Sequence, residues 1–358
     1  MDKKDLRIHE IARAETLSSQ CYTDKEFFEK EQKLIFENHW QYVGPASFLQ
    51  KSGDQFPLSI AGQPILLVLD GDEIRAFYNV CKHRGGPLAT CKKNNKVLKC
   101  EYHGWVYRLD GSLRGVPHFR HAELFNPSDF GLTEIAVTIW QGLIFVNLYA
   151  DPDSGQDVFQ TIEDRIKPLK IADLQFHKRV SYNIACNWKA YADNYLEGYH
   201  IPHVHPELCD LLSFQDYKTE LTDHYSLQYS PFRDKENLYS QDGGAAFYFF
   251  LFPNIMLNLL PGRLQMNSIE ALSEQSCRVH FDYFYDDITS QQAQKKITED
   301  MAYSDRVQKE DMEICEWVQK GLQSNAYERG RFSPEMEEAV HHFQVMLKKV
   351  YKKIPFNS

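Results

Sequence analysis

The spacing of apolar residues changes twice along the chain. Over residues 5–38 apolar side chains recur at helical spacing, which predicts an amphipathic helical segment. From about residue 40 to residue 148, short apolar runs of β type alternate with turns. The strands expected there are Pro64–Leu69, Ile74–Val80, Val97–Lys99, Trp105–Leu109, Val137–Ile139 and Leu143–Leu148. This part of the chain is therefore predicted to be rich in β-structure.

Beyond residue 150 the pattern mixes strands and helices. Asp151–Gly155 is typical of a linker, and a helix is expected over Asp157–Leu169. The later strands are expected at Tyr225–Tyr229, Ala246–Phe252 and Val279–Tyr285, and long polar helices at Ser290–Ser324 and Pro334–Lys352. The whole pattern predicts an α+β protein in three parts, residues 1–38, 39–150 and 151–358.

Composition narrows the class of protein. A length of 358 residues suits about two domains, and a formal net charge of −10 argues against a nucleic-acid binder. The long uncharged run Gly243–Gly262 contains Pro253 and Pro261, so we expect two buried strands around a turn at Pro253-Asn254 and no membrane span. The first residues lack the apolar core of a signal peptide. We therefore expect a cytoplasmic protein.

Two pairs of cysteine and histidine dominate the first half of the chain. Cys81 and His83 precede Cys100 and His103, and Gly85-Gly86 and Gly104 follow the two pairs. Two thiolates and two imidazoles are the mixed ligand set of a Rieske-type 2Fe–2S cluster. A structural zinc site is the alternative, but zinc-finger histidines usually share one helix, whereas here each loop supplies one cysteine and one histidine. Cys91 lies outside the pattern and is expected to be a spectator.

A second group of candidate ligands lies near residue 200. Asn194, Glu197 and His200 recur every three residues, so on a helix they fall on roughly one face. Pro202 then interrupts the helix, and His203 and His205 follow. Histidines beside an acidic residue suggest a two-histidine, one-carboxylate site that leaves open positions on Fe(II). The spacing alone does not decide between His203 and His205 as the second ligand.

The first group carries a resemblance to a known family. The segments NVCKHRGGPLA and LKCEYHGWVYRLDGSL resemble the Rieske domain of the ring-hydroxylating oxygenases. Respiratory Rieske proteins have two further cysteines that would fall at Gly86 and Tyr102. Their absence implies no disulfide and a low cluster potential. The resemblance implies an all-β Rieske domain over 39–150, a helix-grip catalytic domain over 151–358 with an antiparallel sheet and long helices, and packing of residues 1–38 on the catalytic domain.

The resemblance also implies roles for the second group. The family pattern E/D-x-x-H-x-x-x-x-H selects Glu197, His200 and His205. His200 and His205 would bind mononuclear Fe(II), and Glu197 would connect this iron to the Rieske cluster of a neighbouring subunit. His203 would be an outer residue or a surface one. The third ligand is expected in VQKEDMEICEWVQKGL, with Asp311 as the choice ahead of Glu310 and Asp305.

The closest resemblance is to the branch that contains choline, glycine betaine and carnitine monooxygenases and stachydrine demethylase. The run Asp193–His200 and the segments FPNIMLNLLPG and ICEWVQKGLQSNAY carry it. It implies an oxidoreductase of the EC 1.14 type that uses O2, electrons from a separate NAD(P)H reductase of the flavin or ferredoxin type, and a homotrimeric assembly. It further implies hydroxylation and N-dealkylation of a small quaternary ammonium compound.

Other functions remain open at this point. An oxygenase for aromatic acids, a non-catalytic Rieske electron carrier and a zinc-stabilised binding protein are the alternatives. Aromatic faces bind quaternary ammonium groups through cation–π contacts. The candidates for such contacts lie in one expected strand and are Phe247, Tyr248, Phe249, Phe250 and Phe252. Side chains alternate along a strand, so about half of them are expected to point inward.

Overall fold

A computed structural model describes residues 6–149, 156–167, 169–205, 207–208, 218–223, 225–234, 236–239 and 244–353. The chain divides into a smaller unit, Phe36–Leu169, and a larger unit, Met1–Ile35 with Lys170–Ser358. In the part of the chain that the structure describes, no helix has both the length and the apolar character needed to cross a membrane.

Among the residues that the structure describes, the α-helices are mostly short. They are α1 (Gln20–Thr23), α2 (Lys25–Glu31), α3 (Gln156–Ile166), α4 (Trp188–Tyr195), α5 (Ile201–Val204), α6 (Gln291–Leu322) and α7 (Glu338–Tyr351). The strands of the smaller unit are β1 (Gln41–Pro45), β2 (Asp54–Ile60), β3 (Gln63–Asp70), β4 (Glu73–Tyr78), β5 (Lys93–Asn94), β6 (Leu98–Lys99), β7 (Val106–Tyr107), β8 (Leu113–Gly115), β9 (Glu134–Trp140) and β10 (Leu143–Asn147). Those of the larger unit are β11 (Gln175–Ile184), β12 (Lys218–Leu221), β13 (Tyr225–Pro231), β14 (Ala245–Leu251), β15 (Ile255–Leu260), β16 (Arg263–Ser273) and β17 (Ser276–Tyr285).

The smaller unit is built from two antiparallel sheets. One has the strand order β1-β10-β9-β4-β3-β2-β5 and the other the order β6-β7-β8. Strand β3 is apolar on both faces because it lies between two cores. Ile65 and Leu67 join one core, while Leu66 and Val68 pack in the other, which also contains Cys81 and Cys100. The continuous apolar run that predicted this strand therefore reflects burial on both sides.

The described strands of the larger unit form one antiparallel sheet in the order β11-β17-β16-β15-β14-β13-β12. Strands β14 and β15 flank a turn with a cis peptide bond between Phe252 and Pro253, which confirms the two strands predicted within Gly243–Gly262. The helices α4, α6 and α7 belong to the same unit. The predicted α+β class, with a β-rich smaller unit and long helices in the larger one, is thus confirmed.

The prediction of one helical segment over residues 5–38 is wrong. Among the described residues of this stretch, helical structure is confined to α1, α2 and short turns such as Ile11–Arg13 and Gln32–Phe36. Helical structure is interrupted at Asp24. Its carboxylate caps α2 by accepting from the Phe27 N–H at 2.8 Å. Before that point the backbone bonds to distant segments, for example from Leu17 N–H to Gln344 Oε1 at 2.7 Å. Tertiary contacts here override the helical spacing.

A buried ion pair fastens this N-terminal segment to α4. Both side chains of the Glu31–Lys189 pair are fully buried, with Nζ 2.8 Å from Oε1 and 2.9 Å from Oε2. Glu31 also accepts from Trp188 Nε1 at 3.0 Å and from the Tyr351 hydroxyl. Because every charged atom of the pair has partners, the pair is compatible with burial.

Helix α3 belongs to a different unit from the one that the sequence predicted. The sequence-based boundary at residue 150 puts α3 in the catalytic part, whereas its side chains pack within the smaller unit. Phe159 stacks on Trp140 with centroids 5.1 Å apart, and Trp140 Nε1 donates to Glu163 at 2.6 Å. The predicted linker Asp151–Gly155 lies outside the described residues, and the domain limits stay a prediction.

Candidate metal centres

The two cysteine–histidine loops of the smaller unit repeat one backbone arrangement. The Gly85 N–H donates to the Cys81 carbonyl at 2.9 Å, and the Gly104 N–H donates to the Cys100 carbonyl at 3.0 Å. Both glycines have φ of +75°, a conformation that side chains disfavour. The cysteine N–H groups in turn donate to the carbonyls of Gly86 and Trp105, at 2.8 and 2.9 Å. Two matching turns thus present their side chains to a common point.

The side chains on these loops separate sulfur from nitrogen. Cys81 and Cys100 are each only 2% exposed, whereas His83 is half-buried and His103 is exposed. The Nδ1 atoms of His83 and His103 lie 3.2 Å apart, and the His83 ring stacks on Trp105 at 4.9 Å. Thiols on the inside and imidazoles on the outside are the arrangement that a mixed-ligand 2Fe–2S cluster requires. Cys91 is exposed and takes no part.

The space beside the Cys100 sulfur explains why residue 86 is a glycine. A Cβ on Gly86 would lie 3.0 Å from Cys100 Sγ and 3.1 Å from Tyr102 Cβ, so a side chain at residue 86 would crowd the cysteine. Residues 86 and 102, which would be cysteines in respiratory Rieske proteins, are therefore neighbours here. The cradle left by Gly86 gives a cluster room beside Cys100.

Tyr107 is a contact of the sulfur that the sequence did not reveal. Its hydroxyl lies 3.2 Å from Cys81 Sγ and accepts from the Lys82 N–H at 3.0 Å. Burial raises the pKa of the Cys81 thiol, and the neighbouring Cys100 thiol raises it further. Burial also raises the pKa of Tyr107, so its hydroxyl stays protonated. The only sequence feature that could have indicated this contact is the position of Tyr107 two residues after Trp105 in the run GWVY.

In the larger unit, the expected helical face of Asn194, Glu197 and His200 is only partly helical. Helix α4 begins after Asn187, whose side chain accepts from the Lys189 N–H at 3.0 Å, and it ends at Tyr195. Glu197 lies in the following turn, where its carboxylate accepts from the N–H groups of Tyr199 and His200. This side-chain capping replaces the next helical turn and directs His200 toward α6.

Three of the predicted ligands do converge. One ligand atom each from His200, His205 and Asp311 lies within 4.8 Å of the other two. His205 Nε2 is 2.9 Å and His200 Nε2 is 3.7 Å from the same Asp311 oxygen. Asn194 Nδ2 donates to that oxygen at 2.7 Å. Two imidazoles and one carboxylate facing one point form the donor set of a facial triad.

Two further carboxylates hold the opposite ring nitrogens. Glu197 Oε1 is 2.6 Å from His200 Nδ1, and Glu310 Oε2 is 2.6 Å from His205 Nδ1. Such contacts fix the tautomer of a metal-binding histidine and leave its Nε2 free for the metal. Burial alone lowers the pKa of His205, but the bonds and charges of Asp311 and Glu310 outweigh it and raise this pKa.

The remaining candidates lie outside the triad. His203 is exposed. Asp305 accepts from the Tyr182 hydroxyl at 3.1 Å and pairs with Lys309 at 2.6 Å. Glu310, the alternative ligand from the sequence, instead contacts the far side of His205.

The triad lies on the wall of a cavity of about 150 Å³. Its lining is rich in aromatic residues, among them Tyr191, Tyr195, Tyr248 and Phe281, and includes one arginine, Arg263. Of the five aromatic residues that the sequence offered in strand β14 and beside it, only Tyr248 lines this cavity. Phe249 and Phe250 are fully buried core residues, and Phe252 packs on Phe343.

Family models match both units. Residues 39–128 match the Rieske 2Fe–2S domain, and residues 171–353 match the catalytic domain of the ring-hydroxylating alpha subunit. The chain is 32% identical to chloroplastic choline monooxygenase of Arabidopsis thaliana, over 94% of this chain and 83% of that protein. It is 30% identical to the carnitine monooxygenase oxygenase subunit of Escherichia coli K12, over 94% of each.

Solved structures match the fold over almost the whole chain. The quaternary ammonium Rieske monooxygenase CntA superimposes with a TM-score of 0.86 at 27% identity, covering 94% of this chain and 95% of that one. Naphthalene 1,2-dioxygenase from Rhodococcus sp. gives a TM-score of 0.77 at 18% identity, with 95% of each chain covered. At this lower identity the likeness concerns the fold alone.

Proposed function

The chain belongs to the Rieske ring-hydroxylating oxygenase family, and from this premise we propose that it oxidises a small quaternary ammonium compound at a carbon bonded to nitrogen. The family uses a Rieske 2Fe–2S cluster and a mononuclear iron, and the chain is an oxygenase. The substrate class is the proposed part. Its support is that the named activities of relatives at 30–32% identity concern choline and carnitine.

The observation that carries this proposal is the cavity beside the His200, His205 and Asp311 triad. Its volume of about 150 Å³ suits a small substrate. Tyrosine and phenylalanine faces around it offer cation–π contacts to an ammonium group.

The residues present fit the mononuclear iron of the family. The two Nε2 atoms and the Asp311 carboxylate would hold it, while Glu197 and Glu310 orient the histidines. Iron bound there supplies reductive activation of O2. Glu197 and Glu310 fix the imidazole tautomers, and the side chains that line the cavity would hold the substrate.

The smaller unit fits the Rieske cluster for separate reasons. Cys81 and Cys100 would hold the inner iron, and His83 and His103 the outer one. The space beside Gly86 and the Tyr107 hydroxyl on Cys81 are features expected around a cluster.

Electron delivery completes the proposal. We propose a homotrimer in which Glu197 connects His200 to the cluster of a neighbouring subunit, with a separate NAD(P)H-dependent reductase as the donor. The bond from Glu197 to His200 Nδ1 supports this role. The CntA structure is likewise described with inter-subunit electron transfer.

The test is turnover by the reconstituted protein. Iron-loaded enzyme with a surrogate reductase and NAD(P)H is offered choline, carnitine, glycine betaine and benzoate, and the products are identified by mass spectrometry. We expect NAD(P)H consumption coupled to aldehyde, amine or formaldehyde from a quaternary ammonium compound. Hydroxylated benzoate without any of these products would overturn the substrate class and favour the aromatic-acid alternative.

A further inference from the structure

One end of the cavity contains a buried arginine with an unused hydrogen-bond donor. Arg263 begins β16 and is 6% exposed, and its Nε donates to Asp300 of α6 at 2.7 Å. Its Nη2 donates to Gln265, whereas its Nη1 has no partner among the described residues. Asp300 also accepts from the hydroxyls of Tyr239 and Tyr285, so it is already well supplied with donors. The arginine is held charged, and one N–H edge is left for a ligand.

Two further donors on the cavity wall are also unmatched. The Tyr303 hydroxyl and Gln308 Nε2 are buried and have no hydrogen-bond partner in the described structure. The other end of the Gln308 amide is oriented by the Tyr191 hydroxyl, which donates to Oε1 at 2.7 Å, so Nε2 must be the free end. A buried donor without a partner is destabilising. These donors around one small cavity indicate that the ligand brings acceptor oxygens.

The residues along α6 give the cavity a direction. Ser304, Gln308 and Asp311 follow one another at helical spacing on the cavity wall, and Asp300 lies one turn before Ser304. Arg263 lies at the Asp300 end of the cavity and the His200, His205 and Asp311 triad lies at the other, so the carbon to be oxidised and its nitrogen must face the triad. A cation alone would gain nothing at the arginine end. A molecule with an ammonium at one end and an anion at the other matches both ends.

We propose that Arg263, Tyr303 and Gln308 form a subsite for the carboxylate of the substrate, which makes the substrate a zwitterionic quaternary ammonium carboxylate and disfavours a cationic amino alcohol such as choline. This inference rests on the function proposed above and specifies the substrate class within it. The carboxylate accepts hydrogen bonds at the Arg263 end, and the methylated nitrogen faces the triad.

The test compares two ligands that differ only at the anionic end. Calorimetry on the iron-loaded protein measures the Kd of gamma-butyrobetaine and of the alcohol in which a hydroxymethyl group replaces its carboxylate. We expect the acid to bind at least about 10-fold more tightly, the equivalent of about 1.4 kcal/mol. Equal or tighter binding of the alcohol would overturn the subsite.

Variants then test the residues. Tyr303→Phe removes only the hydroxyl, and Arg263→Lys keeps the charge beside Asp300 but removes the planar N–H edge. Each is expected to lower the preference for the acid by about 3- to 10-fold, the loss expected for one hydrogen bond of ordinary strength. Tyr327→Phe, at an exposed tyrosine outside the cavity lining, is the matched control and should keep the preference. An unchanged acid preference in both cavity variants, with normal melting temperatures, would overturn the assignment.

Different results would contradict the carboxylate subsite and the quaternary ammonium function. If the wild-type protein oxidises choline and binds the alcohol at least as well as the acid, the carboxylate subsite is wrong and the quaternary ammonium function stands. If it oxidises neither ligand nor any other quaternary ammonium compound, the proposed function itself is contradicted.

Discussion

Replacing Tyr107 with phenylalanine should lower the reduction potential of the Rieske cluster. The Tyr107 oxygen accepts from the Lys82 N–H at 3.0 Å, so its own proton is free to bond Cys81 Sγ, 3.2 Å away. Hydrogen bonds to cluster sulfur favour the reduced, more negative state. A bond worth about 1–1.5 kcal/mol more in the reduced state corresponds to about 40–65 mV for one electron. We therefore expect Tyr107→Phe to lower the potential by this amount.

Redox titration followed by EPR or circular dichroism measures the effect directly. The matched control is Tyr102→Phe, because Tyr102 lies on the same loop as Cys100 but is 58% exposed. The control should keep the wild-type potential. A Tyr107→Phe potential within about 10 mV of wild type, far below the 59 mV of a tenfold one-electron change, would refute the reasoning.

Three other predictions concern the larger unit. Glu310→Ala should weaken iron binding about 10- to 100-fold, because His205 loses its Nδ1 partner, while Glu313→Ala on the exposed side of α6 should not; equal iron affinities would contradict this role. Glu31→Ala leaves Lys189 buried without its partner and should lower the unfolding free energy by about 3–5 kcal/mol in denaturant titrations, whereas a loss below about 1 kcal/mol would show that the pair is dispensable. Burial raises the pKa of Asp193 to about 7. Because the folded pKa lies above the unfolded value, this carboxyl reduces stability increasingly as the pH rises from about 4 to 7. Asp193→Asn should flatten the stability profile over that interval, and an unchanged profile would argue against the raised pKa.

Much of the fold follows from the apolar pattern, and the exceptions have physical causes. Strand β3 was predicted because both of its faces are buried. Strand β16 was not, because it places Arg263, Gln265 and Asn267 in a buried, cavity-lining position. Polar residues at alternate positions resemble an exposed strand face, and only the three-dimensional structure shows that this face borders a cavity.

The sequence was also insufficient to assign separate roles to the acidic residues around the candidate triad. His200, His205 and Asp311 were available from spacing and resemblance, but the separate roles of Asp311 and Glu310 were not. Adjacent residues on a helix point about 100° apart. Asp311 therefore faces the Nε2 atoms while Glu310 reaches the Nδ1 atom of His205, a distinction that two neighbouring acidic letters do not carry.

The most direct test of the whole account counts metal, sulfide and product in the wild-type protein and in His205→Ala. A 2Fe–2S cluster and a separate mononuclear iron require about three irons and about two acid-labile sulfides per chain in the wild type. The variant should keep about two irons, both sulfides and an unchanged cluster EPR signal, and it should form no product. Product formation by the variant, or loss of the cluster signal together with the third iron, would contradict the assignment of two separate centres.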